Sequence, residues 1–174
     1  VDVWRWVSPK FTKEVYSSLI FEPIVFHPEP ELSEQVSMSA LESLRNYNSS
    51  TLESEALGLS ILAKEPAKGV VRIKMAITGV KVSTESLKPW EIIPFKLVMA
   101  GAGAAIGFRD KDLAVYYEVI GEDSVSGEPL FTLVRKMTGD QLENSWEKME
   151  VAHMQDAFDL FAKKSVAVLA AWLK

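Results

Sequence analysis

The sequence has no cysteine among its 174 residues. Disulfides, thiolate metal sites and cysteine nucleophiles are thereby excluded, while either a reducing or an oxidising compartment remains compatible. Histidine is nearly as scarce: His27 and His153 are the only two, so a zinc site would need both, plus carboxylates gathered by the fold. His27 falls between a strand and prolines. His153 falls in the first turn of a closing helix, with Asp156 three residues on. An exposed or structural role accounts for both. Basic clusters are missing as well. Lysine and arginine occur singly or in pairs such as Lys163-Lys164, and the net charge is −5. A nucleic-acid partner, whose phosphates demand a clustered basic footprint, is not expected. No repeat or low-complexity segment is visible. The opening VDVWRWVSPKFTKEVY contains no apolar signal-peptide core, and the first residue is Val1 rather than methionine. We expect an N-terminus that was processed or trimmed, any export signal having been removed.

Catalytic signatures are also lacking. No H-E-x-x-H or G-x-S-x-G constellation occurs. The carboxylate pair Glu122-Asp123 lies in a hairpin turn, where solvation explains it. Asp156 and Asp159 lie on a helix that also carries Lys163 and Lys164, an ordinary solvated face with i, i+4 pairing from Asp159 to Lys163. No catalytic, cofactor-binding or metal-ligating residues are assigned, no cofactor is expected, and the chain is read as non-enzymatic.

What is present is the material of one well-packed domain, with 48% hydrophobic and 25% charged residues. Residues 1–17 mix Trp4, Trp6, Phe11 and Tyr16 with charges and Pro9, which suggests an arm whose aromatics lie against the body. SLIFEPIVFHP (18–28) is a strand, with Pro23 marking an edge position, a bulge or a break. ELSEQVSMSALESLRNY (31–47) places Leu32, Val36, Ala40 and Leu44 on one helical stripe, with Ser33 as the cap and the polar Asn48-Ser49-Ser50 as the stop. Residues 57–63 alternate and favour a strand over a short helix. GVVRIKMAITGVKVS (69–83) is the clearest strand: Val71, Ile73, Met75 and Ile77 point one way, and Arg72, Lys74 and Thr78 the other. LAVYYEVIG (113–121) and EPLFTLVRKM (128–137) make a hairpin through Ser126-Gly127. Residues 151–173 form a long helix with Val151, Met154, Phe158, Phe161, Ala162, Leu169 and Trp172 on one face, too interrupted by charge to span a bilayer. The order predicts an α+β or α/β domain: a mixed sheet of about five strands with helices packed on it.

The stretch IIPFKLVMAGAGAAIGF (92–108) needs separate treatment. It is too short for a membrane span and contains Pro94 and Lys96. Its glycines, Gly101, Gly103 and Gly107, miss the dinucleotide spacing by one position, and a strand rather than a long helix follows. Close packing remains, against the domain's own sheet or another chain, because small residues let backbones approach.

The order of these features resembles the DUF3313 family of Gram-negative bacterial lipoproteins. The resemblance is carried by SLIFEPIVF, GVVRIKMAITGVKVS, KPWEIIP leading into the small-residue run, YYEVIGEDSVSGEPLFTLVRK, and the closing F-D-x-F-A (158–162). It covers about nine-tenths of the chain. Asp123-Ser124 fits the family's turn, but Gly121 stands where a bulkier residue is expected. The resemblance implies an exported protein, lipid-anchored to the outer membrane through a cysteine upstream of Val1 and facing the periplasm. It further implies a fold like the small α/β domain at the N-terminus of TolB and in related envelope lipoproteins. Residues 1–17 would then be an arm following a removed signal or anchor region, and 18–174 a single domain. No catalytic residues come with the resemblance.

Two binding expectations follow. The first is a protein-binding or self-assembling module using Ala100, Gly101, Ala102, Gly103 and Ala104 as its interface, touching the membrane only through the upstream lipid. The alternative is a periplasmic carrier of a small apolar ligand, with Trp90, Phe95, Tyr116, Tyr117 and Trp146 lining the pocket. A hydrolase is the weakest reading.

Overall fold

The computed structural model describes residues 3–30, 32–83 and 112–173. Strand β4 (Val70–Ser83) is an interior strand of the sheet, 14 residues long. Its alternation is as the sequence indicates, with Val71, Ile73, Met75 and Ile77 all buried. Arg72 and Lys74 face the other way, 3.3 Å from Glu22 and 2.7 Å from Glu122. The alternation then changes phase. The register with β5 (Asp112–Asp123) slips between Ile77 and Gly79, and the extra residue, Thr78, moves the inward positions by one. Val80 and Val82 therefore return to the core side.

Strands β5 and β6 (Pro129–Thr138) form the expected hairpin. Beyond them β1 (Val3–Val7) pairs antiparallel with β6, so part of the stretch read as an arm is an edge strand. On the other side β2 (Ser18–Phe21) and β3 (Val25–Phe26) both pair parallel with β4. Pro23 marks a break between two short strands in one row, because proline cannot donate to the ladder. Among the described residues the mixed sheet has six strands in the order β1-β6-β5-β4-β2, with β3 beside β4.

The parallel pairing of β2 with β4 requires a crossover, and helix α1 (Met38–Gly58) supplies it. Two expectations fail here. The helix is capped by Ser37, whose Oγ accepts from the Ala40 N–H at 3.2 Å, whereas Ser33 accepts from the Val36 N–H in a preceding turn. The polar 48–50 segment does not stop the helix either. Asn48 is wholly buried, on the stripe Leu41, Leu44, Asn48, Leu52 and Ala56. Its Nδ2 donates to the Tyr117 hydroxyl at 2.7 Å. The strand expected over 57–63 is reduced to one bridge, Leu19 to Leu62.

Helix α2 (Ala152–Leu173) buries Met154, Phe158, Phe161, Ala162, Val166, Ala170 and Leu173. Asp159 accepts from the Tyr47 hydroxyl at 2.5 Å, joining the two helices, rather than pairing with Lys163. Both helices share one core with the same sheet face. Among the described residues no helix is long and apolar enough to cross a membrane.

Gly121 has a steric reason. A Cβ there would lie 2.2 Å from Cε1 of Phe131 on the neighbouring strand. The Phe131 ring is itself held by Phe11, 5.4 Å away between centroids. Gly121→Ala is expected to overpack this corner and cost about 1–3 kcal/mol, read from the urea midpoint of unfolding. An unchanged midpoint would mean the ring moves aside freely.

Candidate functional site

The described members of the aromatic set do not converge. Tyr116 and Tyr117 are consecutive on β5 and point to opposite faces. Tyr117 is buried in the core against Phe158 and Phe161, with centroids 6.0 and 6.5 Å away. Tyr116 is buried but stands outside that core cluster. Trp146 is 71% exposed, in the loop before α2. Trp90, Phe95 and the whole 100–104 run lie outside the described residues.

A different place has the form of a binding site. Between the sheet and α2 is a cavity of about 550 Å³, within the range of small-molecule sites. Its sheet wall includes Ile73, Met75, Val119 and Leu133, and its helix wall includes Phe161 and Leu169. At one side Phe11 stacks on Trp172, with centroids 5.5 Å apart. At the other, Phe21, Leu52 and Met75 also line an adjoining cavity of about 260 Å³ that reaches Pro23 and Ile24.

Three cations line this apolar space: Arg5 on β1, Arg135 on β6 and Lys164 on α2. No carboxylate is among its described lining residues. Arg135 is half-buried, with its guanidinium carbon 4.8 Å above the centre of the Phe161 ring. Its Nε is buried without a hydrogen-bond partner. Burial draws the guanidinium below its ordinary pKa, yet leaves it cationic. The β6 pattern carries a signal that our sequence reading missed. Phe131, Leu133, Arg135 and Met137 occupy successive positions on the core-facing side, so a charge stands where the alternation calls for an apolar residue.

The remaining titratable groups serve the fold. Asp123 Oδ1 accepts from the Val125 N–H, the Ser126 N–H and the Ser126 hydroxyl at 3.1, 2.7 and 2.9 Å. Its Oδ2 accepts from the Tyr16 hydroxyl at 3.1 Å. Hydrogen bonds from Ser126 hold the carboxyl below the usual range, and burial with the Asp123 contact pushes the Tyr16 phenol up to about 12. Ser124 Oγ donates to the Ala67 carbonyl at 2.8 Å and accepts from the Ala67 N–H at 3.1 Å. His153 Nδ1 accepts from the Glu150 N–H at 2.9 Å, so the ring proton belongs on Nε2, 3.2 Å from Glu147. Among the described residues no group of three His, Cys, Asp or Glu side chains could hold a metal ion.

The architecture is that of a two-layer domain with an apolar cavity between sheet and helix. The chain belongs to the family described as "Protein of unknown function (DUF3313)", which matches residues 2–165. It is 31% identical over 157 residues to the uncharacterized lipoprotein YdcL of Escherichia coli K12, covering 90% of this chain and 71% of that protein. The PelC dodecamer from Paraburkholderia phytofirmans aligns with 98% of this chain and 97% of its own at 10% identity, with a TM-score of 0.41. A neuraminyllactose-binding hemagglutinin homolog from Helicobacter pylori aligns with 91% and 86% at 12% identity, with a TM-score of 0.40.

The lowered Asp123 carboxyl makes the hairpin turn sensitive to acid. A carboxyl depressed on folding stabilises above its unfolded value, about 3.9, and that contribution is lost as the pH falls through the folded value. Melting temperatures measured from pH 6 to pH 2 should fall on acidification, and Asp123→Asn should flatten the limb below about pH 4. Identical acid limbs would remove Asp123 from the account.

Proposed function

We propose that this chain is the folded domain of an envelope lipoprotein that binds a small apolar ligand non-catalytically, in the cavity between the sheet and α2. The observation that carries the reading is the cavity itself, about 550 Å³ in volume and walled mainly by apolar side chains from both layers. A cleft of this size with mainly apolar walls and a few polar groups has the form of a small-molecule site. The assembly reading has no such support, since residues 100–104 lie outside the described residues.

The lipoprotein relative in Escherichia coli supports a lipid anchor, and we place the domain at the periplasmic side of the outer membrane. Labelling of the native protein in cells with a radioactive fatty acid tests the anchor. An unlabelled protein would overturn it.

The cavity is tested with N-phenyl-1-naphthylamine, a neutral apolar dye whose fluorescence rises out of water. The wild type should show saturable binding at one site. Leu133→Trp, which fills space from the β6 wall, should abolish it while circular dichroism stays unchanged. No saturable signal from the wild type, or equal binding by the folded variant, would overturn the reading.

A further inference from the structure

We infer that the cavity's ligand is a single-chain amphiphile with an anionic head, a carboxylate or a phosphate monoester, held by Arg135. The inference rests on the proposed ligand-binding role and specifies the chemistry of the ligand. Its first support is the state of Arg135. A guanidinium has five N–H donors in a planar fork, and removing any part of it from water costs free energy unless a partner replaces the water. Here Nε is buried with no partner, and the guanidinium contacts the Phe161 face. Among the described residues no carboxylate forms an ion pair with it. An anionic head in the cavity supplies the missing acceptor through charge-assisted, bidentate geometry.

The second support is the distribution of charge. The chain carries a net charge of −5, yet the cavity's described lining contains Arg5, Arg135 and Lys164 and no acidic residue. Arg5 and Lys164 are exposed, so they raise the local potential for an approaching anion without being buried by it. In contrast, the cleft between α1 and α2 has Glu55 and Asp159 beside Lys163. The two clefts thus differ in the charge of their lining.

The third support is shape. From Arg135 on β6 the lining passes Val119 on β5 and Met75 on β4 to Phe21 on β2. That path crosses three strand spacings, on the order of 14 Å, and ends at Phe21, which also lines the smaller cavity at Pro23 and Ile24. It suits a medium-length alkyl chain lying across the strands. A compact aromatic ligand would leave the Phe21 end empty.

The test compares four probes with one tail: dodecanoate, dodecyl phosphate, dodecanol and dodecyltrimethylammonium, each titrated calorimetrically below its micelle concentration. The wild type should bind at least one of the two anions about tenfold or more tighter than dodecanol, and the cation most weakly. Which anion binds tighter separates a free fatty acid from a phosphorylated lipid fragment. Arg135→Met should remove the preference, so that the anions and dodecanol bind the variant alike. Arg135→Lys should keep part of the preference. If dodecanol and the anions bind the wild type equally, the head-group inference is overturned while the cavity reading stands. If none of the four binds, the cavity reading fails with it. The wild-type comparison decides even if Arg135→Met does not fold.

Discussion

Tyr117 is where the sheet and both helices meet. Its ring is wholly buried on the central strand β5, its hydroxyl receives the Asn48 amide from α1, and its faces and edges meet Phe158 and Phe161 of α2. Burial pushes the phenol's pKa up, so the group stays neutral and can remain in an apolar core. An asparagine on the buried stripe of a helix costs free energy unless it finds a partner; this hydroxyl takes the Nδ2 donor while Oδ1 stays buried without one, and the bond fixes how α1 is rotated against the sheet. Phe161, in contact with Tyr117, also carries the Arg135 guanidinium over its ring. The position of the cation in the cavity thus follows from how the core is assembled.

The cavity has equally local causes. Without a side chain at Gly121, the Phe131 ring can lie across β5. There it packs with Phe11, which in turn stacks on Trp172 near the end of α2. These rings close one side of the space between the layers. Toward β2 the walls are Met75, Leu52 and Phe21, which also line the second cavity. The closed side carries the charged rim residue Arg5. Cavity and charge therefore run obliquely across the strands, from Arg135, level with Tyr117 and Ile77, to Phe21, level with Ile73.

Much of the fold was legible because its signals are local. The alternation of 71–77, the turn at Ser126-Gly127 and the apolar face of α2 each depend on a few neighbouring residues. The failures came where tertiary contacts decide. Asn48 reads as a helix stop until the Tyr117 hydroxyl is seen to accept from its Nδ2. Thr78 inserts one residue into β4 and reverses the inward phase, which the sequence does not announce. Gly121 looks anomalous until the Phe131 ring is seen above it. The site was least legible of all, since its walls come from scattered elements. Only Arg135 left a trace, as a charge in the apolar phase of β6.

The most direct measurement is a methyl-detected NMR titration with dodecanoate, following Val119, Leu133 and Leu169 in the cavity wall against Leu41 and Leu44 elsewhere in the core. The account predicts saturable shifts in the first set, with little change in the second. Shifts confined to exposed residues such as Leu57 and Val125, or none at all, would contradict it, because the space beneath α2 would then hold no ligand.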